Sequence, residues 1–244
     1  MAAPAIGKRR RWAPPVTAKV DWSHPLATGL QFLWFASSPD VDRAGGAVLS
    51  TSGGMPAAAS AWGFARTPVV GGNGFASFTS AGLTASTPLT VVAVGTFTGS
   101  GGGGHRRVLT IPADQTAVDT PQVSLDAPDN NGFAAVNIGG PPYNTAITDP
   151  TLMPQGPYVL VATWSGGGSS TAGLVSLYRA GGLVASTSAT SGVQVQGSIE
   201  VGRYNANYAQ NADNPLVMVA VYGRCMTSGE VASITADPFC FMRW

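Results

Sequence analysis

Charged residues are scarce in this sequence. Lys, Arg, Asp and Glu together make up 10% of its 244 residues, against about 25% in an ordinary soluble domain. The formal net charge is only +1, so the overall charge argues against nucleic acid as the partner. A surface with so few charges must be covered by Ser, Thr, Asn, Gly and Ala. Such a surface suits a protein that packs among other proteins, and a stable secreted β-protein is the alternative.

Cysteine and long apolar runs are scarce too. The two cysteines, Cys225 and Cys240, are too few for a disulfide framework in a chain of this length. Two free thiols are the favoured interpretation, and one bridge between the last strand and the C-terminal tail is the alternative. No apolar run approaches the about 20 residues that span a bilayer, and the start, MAAPAIGKRRRW, lacks the apolar core of a secretory signal. We therefore expect synthesis in the cytoplasm and no membrane insertion.

The sequence also shows no recognisable pattern of catalytic residues. Glycoside hydrolysis uses two carboxyl groups about 5–9.5 Å apart, but Glu200 has no acidic neighbour on its predicted strand and Glu230 is better explained as a helix cap. His24 and His105 are far apart, and neither has an acidic partner nearby, which gives no support to zinc or Ser/His chemistry. The sequence predicts no catalytic residues and a protein that is not an enzyme.

Glycine and proline, by contrast, are abundant, at 32 and 18 residues. They indicate frequent turns and few long helices. Short apolar runs lie between the turns, and most of the remainder, including residues 36–63 and 139–155, is predicted as loop, with one short strand near residues 47–50. Strands are predicted at 31–35, 74–78, 89–97, 108–111, 122–125, 133–138, 158–164, 174–179, 183–186, 193–196, 199–201 and 216–222.

A hairpin is the clearest local unit. Residues 174–179 alternate, which places Val175 and Leu177 on the face opposite Leu174. Ala180-Gly181-Gly182 supplies residues able to take a positive φ, and the next strand returns. An antiparallel sheet with one apolar face needs a second sheet to cover it. The pattern predicts a two-sheet antiparallel sandwich.

One short helix is predicted near the end of the chain. Thr227-Ser228-Gly229-Glu230 fits a capping box in which Thr227 is the N-cap and Glu230 reaches back to its N–H. The helix runs from Ser228 to about Thr235 and ends before Asp237-Pro238.

The order of these motifs resembles the laminin G-like, or concanavalin A-like, jelly-roll family. The resemblance rests on Trp164, the glycine loop after it, LVSLYRAGGLVAST (174–187) and IEVGR (199–203). It also rests on LVMVAVYGR (216–224) and the helix that follows. Ala180 stands where the family has an acidic residue. Near the start of the chain, DWSHPL (21–26) resembles the opening of bacteriophage members of this family, and DPF (237–239) resembles their ending. The resemblance implies an all-β jelly-roll sandwich over residues 20–244 with one short C-terminal helix, after an extended N-terminal arm of residues 1–19.

A role in a virion follows from that resemblance. We expect a non-enzymatic bacteriophage structural protein, located in the virion, on the exterior of the capsid as a decoration or on the tail. Its partners would be other virion proteins and copies of itself. The arm would dock on an acidic or grooved surface through charge steering and one aromatic anchor, and a solvated tail is the alternative. The docking residues are Lys8, Arg9, Arg10, Arg11 and Trp12.

A carbohydrate-binding, lectin-like module for host surface glycans is the alternative function. Aromatic rings beside amides stack on sugars and hydrogen-bond to them, although the same residues would also suit packing against neighbouring subunits. The predicted glycan-binding residues are Tyr204, Asn205, Asn207, Tyr208 and Tyr143, which Asn144 and Trp62 would join.

Calcium is the one cofactor that the sequence suggests. Asp213, Asn211 and Asn214 cluster before the last long strand, and calcium takes six to eight oxygen ligands. A single carboxylate gives weak affinity, so an ordinary polar loop is the favoured interpretation, and we expect no metal or other cofactor.

Overall fold

The computed structural model describes most of the chain. The described ranges are 13–38, 41–52, 55–68, 75–80, 88–99, 106–112, 122–127, 135–139, 145–167, 173–189, 197–202 and 214–243.

Short strands dominate these ranges. They are β1 (Lys19–Val20), β2 (Leu30–Phe35), β3 (Ser50–Ser52), β4 (Ala57–Ser60), β5 (Gly63–Arg66), β6 (Phe75–Ser80), β7 (Leu89–Phe97), β8 (Arg106–Pro112), β9 (Gln122–Ala127), β10 (Ala135–Gly139), β11 (Thr145–Thr148), β12 (Gly156–Trp164), β13 (Gly173–Arg179), β14 (Gly182–Ala189), β15 (Gly197–Val201), β16 (Leu216–Tyr222) and β17 (Met242–Arg243). A 3₁₀ turn (Pro25–Ala27) and the helix α1 (Ser228–Ala236) are the helical segments of the described ranges.

Two large sheets form the body of the molecule. The eight-stranded sheet has the order β14-β13-β12-β7-β16-β5-β4, with β2 also paired to β16, and the seven-stranded sheet has the order β11-β10-β9-β8-β15-β6-β3. Every pairing within them is antiparallel. The predicted all-β fold, a two-sheet antiparallel jelly-roll sandwich with one short C-terminal helix, is confirmed.

Large apolar side chains fill the space between the sheets. The eight-stranded sheet contributes Phe32, Trp34 and Trp164, and the seven-stranded sheet contributes Leu109 and Ile111. Burying each side chain of this size contributes about 1.5–3 kcal/mol before the entropy cost of folding is subtracted. This inner core holds the two sheets together.

A second core covers the outer face of the eight-stranded sheet. It joins side chains of β2, β7, β12 and β16 to the first described residues, α1 and the C-terminal tail. β7, β12 and β16 are therefore buried on both faces, which explains why LTVVAVGTF and LVMVAVY are apolar throughout rather than alternating. The residues of this layer include Val92, Val94, Val159, Val161, Met218, Ala220, Ala18, Val20, Leu26, Val231, Ile234, Phe239 and Phe241.

The predicted hairpin and helix are confirmed, apart from the length of the hairpin turn. Val175 and Leu177 face the inner core, while Leu174 is half exposed. Arg179 pairs with Gly182, so the turn has two residues, one fewer than predicted. α1 begins after Thr227, with both hydrogen bonds of the capping box present.

Three short strands were not predicted. β4 lies within residues 36–63, β5 begins at Gly63, and β11 lies within residues 139–155. The short strand predicted near residues 47–50 overlaps β3 only at Ser50. The sequences of β4, β5 and β11 carry little periodicity, and each becomes a strand by pairing with a neighbour in the folded sheet. The strand predicted at 193–196 lies outside the described residues.

Residues 13–19 of the predicted arm lie against the sandwich. The Ala13 N–H donates a hydrogen bond to the Trp62 carbonyl at 2.6 Å, Ala18 is buried, and β1 pairs with β17. Residues 1–12 lie outside the described residues, and the boundary at residue 19 stays a prediction.

Neither cysteine forms a disulfide, as the favoured interpretation of the sequence had it. Cys225 and Cys240 are each partly buried, and burial raises the pKa of the Cys225 thiol. His24 has the turn role expected of a residue before proline, because its Nδ1 accepts a hydrogen bond from the Leu26 N–H at 3.2 Å and caps the 3₁₀ turn.

Candidate functional site

A cleft of about 370 Å³ lies where β12 begins, beside the end of α1. The β4–β5 turn, the β13–β14 turn and the loop before β12 complete its walls. We name it the Trp62 cleft, and its lining residues are Trp62, Met153, Pro154, Pro157, Tyr158, Val159, Arg179, Ala180 and Thr235.

The Trp62 ring is held in place on two sides. Its Nε1–H donates to the Gly95 carbonyl at 3.2 Å, and its ring meets Phe239 edge-on with centroids 6.0 Å apart. The turn that carries it is fixed by Ser60, whose Oγ donates to the Gly63 carbonyl and accepts from the Trp62 N–H. The side chain is only partly buried, so it presents a fixed ring surface to the cleft.

Gly95 permits this arrangement because it has no side chain. It pairs with Tyr158 across β7 and β12, and a Cβ at position 95 would lie 2.6 Å from the Tyr158 hydroxyl and 2.7 Å from the Pro215 carbonyl oxygen. Burial raises the pKa of Tyr158, which keeps its phenol neutral. The cleft therefore has a rigid wall of two aromatic side chains.

Arg179 supplies the cationic side of the cleft. Its Nη1 lies 3.1 Å from Oδ2 of the buried Asp149 and donates to the Thr151 and Leu152 carbonyls at 3.3 Å each. All three contacts use Nη1, so within the described residues Nε and Nη2 remain as donors. The pairing also fixes the loop that carries Met153 and Pro154.

The chemistry of the cleft suits binding rather than catalysis. It combines one fixed indole, apolar Pro and Met side chains and a few directed donors, and its volume falls in the range of small-molecule sites, about 300–1,000 Å³. Among the residues with described positions, no group of three or more His, Cys, Asp and Glu side chains is arranged to hold a metal ion. An aromatic surface beside a guanidinium suits a polar ring such as a sugar.

Most of the site residues predicted from the sequence lie outside the described residues. This holds for the arm residues Lys8, Arg9, Arg10, Arg11 and Trp12, for the glycan-binding residues Tyr143, Tyr204, Asn205, Asn207 and Tyr208, and for the calcium residues Asn211 and Asp213. Their roles stay predictions.

Asn214 is the one described member of the predicted calcium cluster. It is buried, and its Oδ1 accepts hydrogen bonds from the Thr98 N–H at 3.2 Å and the Thr98 hydroxyl at 3.1 Å. These bonds tie the end of β7 to the start of β16. They occupy the oxygen that a calcium ion would use.

Trp62 is the cleft residue that the sequence predicted for glycan binding, though only as an addition to the tyrosine loop, the predicted loop of residues 204–215. Trp62 and Phe64 are the large aromatics in a stretch of Ala, Gly and Ser, and that contrast was the available signal. Arg179, Asp149 and Thr235 carried no signal of this kind, because nothing in the sequence shows that they meet Trp62.

No helical segment in the described part of the chain is long and apolar enough to cross a bilayer. No protein-family model matches the sequence, and no curated protein is detectably similar to it.

Solved structures do share the fold. The binding domain of Paraclostridial Mosquitocidal Protein 1 superposes with a TM-score of 0.65 at 13% identity, over 86% of this chain and 52% of that one. The binding domain of botulinum neurotoxin DC in complex with SialylT gives 0.63 at 10% identity, over 86% and 52%. A structure of botulinum neurotoxin type C, which interacts with two ganglioside molecules to enter cells, gives 0.61 at 9% identity, over 86% and 51%. The chain thus spans about half the length of these structures, and at such identities the likeness shows the β-sandwich fold.

Proposed function

We propose that this protein is a non-enzymatic carbohydrate-binding module whose saccharide site is the Trp62 cleft. The observation that carries the proposal is the fixed, partly exposed indole of Trp62 beside the donors of Arg179. A pyranose ring stacks its apolar face on an aromatic ring while its hydroxyls accept hydrogen bonds. The shared fold adds support, since the botulinum neurotoxin type C of that fold interacts with gangliosides.

Binding to a glycan array, followed by isothermal titration of the strongest saccharide, tests the proposal. Trp62→Ala is expected to weaken binding about tenfold, because ring stacking contributes about 0.5–1.5 kcal/mol. Trp62→Phe keeps a ring in the cleft and should retain most of the affinity. Phe64→Ala is the matched control, because Phe64 is an exposed aromatic of the neighbouring strand that does not line the cleft.

The same titration separates this site from the tyrosine loop predicted from the sequence. Tyr204→Ala and Tyr208→Ala should leave the affinity unchanged if the Trp62 cleft is the site. A Trp62→Ala protein that melts like the Phe64→Ala protein and binds with full affinity would contradict the proposal. Loss of binding on changing either tyrosine would then assign the glycan to the loop.

The virion role remains a second proposal, supported by the low charge of the chain and the phage-like motifs at its two ends. The module would sit on the outside of a capsid or tail, and its basic arm, Lys8–Arg11 with Trp12, would dock on an acidic partner. Glycan binding and virion attachment are compatible, since a module that is held on a particle can present the cleft to a host surface. Deleting residues 1–12 tests the arm, because the described contacts with the sandwich begin at Ala13.

A further inference from the structure

A second cavity, of about 430 Å³, lies between the two ends of the described chain. It shares no lining residue with the Trp62 cleft. We name it the Trp22 patch, and it is lined by Thr17, Lys19, Val20, Trp22, Ser23 and Arg243.

Two cations face each other in this patch. The β1–β17 pairing places Lys19 directly opposite Arg243, and side chains opposite each other in an antiparallel pair project to the same face with Cβ atoms about 4.5–5.5 Å apart. Like charges in that position destabilise the pair. The burial of Val20 and Met242 in the second core holds the two strands together in spite of this cost, and a bound anion would relieve the repulsion between the two cations.

One of the two charges is neutralised within the protein. Arg243 Nη2 forms an ion pair with Asp21 Oδ1, and the hydrogen bond from Arg243 holds the pKa of Asp21 well below its usual range. In the part of the chain that the structure describes, the Lys19 ammonium has no such partner. The patch therefore keeps one positive charge that is free for an anion.

Trp22 presents an aromatic surface next to these charges. Its side chain is 57% exposed, although tryptophan is usually well buried, and it makes no ring contact with any other described residue. Its backbone is fixed on both sides, since Asp21 Oδ1 accepts hydrogen bonds from the Ser23 N–H at 3.0 Å and the Ser23 hydroxyl at 2.6 Å. The exposed indole is thus carried on a constrained turn.

We propose that the Trp22 patch binds a saccharide that carries a carboxylate. The indole of Trp22 stacks on the apolar face of the sugar ring, the Lys19 ammonium pairs with the carboxylate, and the Thr17 and Ser23 hydroxyls lie within the same cavity to bond ring hydroxyls. A concave site with one ring and one unpaired cation fits a single charged sugar better than an extended acidic protein surface. This site is separate from the Trp62 cleft and does not depend on its function.

Isothermal titration of the full chain with a trimer of galacturonic acid, at low and at high salt, tests the proposal. The fully methyl-esterified trimer serves as the uncharged counterpart. Trp22→Ala is expected to weaken binding of the acid trimer about tenfold. Lys19→Gln is expected to weaken it about fivefold, and to remove the preference of the protein for the acid over the ester. Both side chains are exposed, so neither change should lower the melting temperature, and Lys19→Gln should raise it slightly by removing the repulsion from Arg243.

Two controls keep the outcome unambiguous. Phe64→Ala removes an exposed aromatic elsewhere and should not change the affinity for the acid trimer. Measuring the Trp22→Ala and Lys19→Gln changes in a Trp62→Ala background removes any contribution of the other proposed sugar site. Absence of binding to the wild-type chain, or equal binding by wild type, Trp22→Ala and Lys19→Gln, would overturn the proposal. Binding of poly-glutamate as tightly as the acid trimer, unaffected by Trp22→Ala, would overturn it too, because charge alone would then explain the patch.

Discussion

At the scale of single residues, Ala180 is the clearest point of local strain. It has a φ of 50° in the two-residue turn between β13 and β14, where the Cβ of an L-residue costs about 1–2 kcal/mol. Asn tolerates this conformation, and Asn-Gly is the preferred sequence for such turns. Ala180→Asn is therefore expected to raise the free energy of unfolding by about 1 kcal/mol, as measured by urea denaturation.

Gly181 supplies the matched control for that substitution. Its φ is 82°, and a Cβ there would stay at ordinary contact distances of 3.5 Å or more from α1. Gly181→Ala should then lower stability by about 1 kcal/mol through backbone strain alone. A stability loss in Ala180→Asn as large as that in Gly181→Ala would show that the turn is not strained at position 180.

Residues that depend on remote partners could not be predicted from the sequence. Asp42 is buried, and its carboxylate accepts backbone hydrogen bonds at 2.9 Å from Leu33, Ala44 and Gly45. The two local bonds follow from the tendency of Asp to form turns with the residues just after it. The bond to Leu33 exists only because β2 runs past this loop in the folded chain. Gly95 is likewise required only because the folded chain brings Tyr158 and Pro215 against it.

At the scale of elements, the cap of α1 couples helix stability to pH. Arg224 Nη1 lies 2.8 Å from Glu230 Oε1, and the Thr227 N–H donates to Glu230 Oε2 at 2.8 Å. These contacts, with the Arg224 bond the strongest cause, lower the pKa of Glu230 from 4.5 to about 2. The contribution of the carboxylate to stability is therefore complete above about pH 4.5 and is lost as the pH falls towards 2.

Glu230→Gln isolates that charge, because Gln still accepts the hydrogen bond of the capping box. Above pH 5 the variant is expected to unfold about 1 kcal/mol more easily than the wild type, since water screens a partly exposed ion pair. The difference should shrink to near zero at pH 2, measured as urea midpoints across this range. A constant difference from pH 7 to pH 2 would mean that the charge of Glu230 does not stabilise the cap.

The elements that the sequence predicted best are those whose burial is most complete. β7 and β16 end where their apolar runs end, because a strand covered on both faces needs apolar residues at every position. β4, β5 and β11 were missed, since four-residue strands with little apolar periodicity at or near a sheet edge gain their structure from a neighbour rather than from their own side chains.

At the scale of the whole molecule, composition and strand pattern were enough for the fold class but not for the Trp62 cleft. A chain with many turns and many apolar runs of strand length can bury those runs only by pairing two sheets. The cleft instead depends on which turns meet at one end of the sandwich. Trp62, Pro154, Arg179 and Thr235 come from four separate segments, and no spacing along the chain links them.

The layer that covers the outer face of the eight-stranded sheet also defines where the arm can be cut. A chain lacking residues 1–12 keeps the Ala13 contact, the buried Ala18 and the β1–β17 pair, whereas a chain lacking residues 1–20 loses all three. Exposing the apolar surface beneath Ala18 and Val20 costs about 3 kcal/mol, so the shorter chain should melt about 5–10 °C below the longer one. The virion proposal is then tested by measuring how the chain lacking residues 1–12 attaches to phage particles. The expected result is loss of attachment with an unchanged fold. If that chain still attaches to particles, the arm is not the docking element; if the two truncated chains melt together, residues 13–20 do not stabilise the outer core.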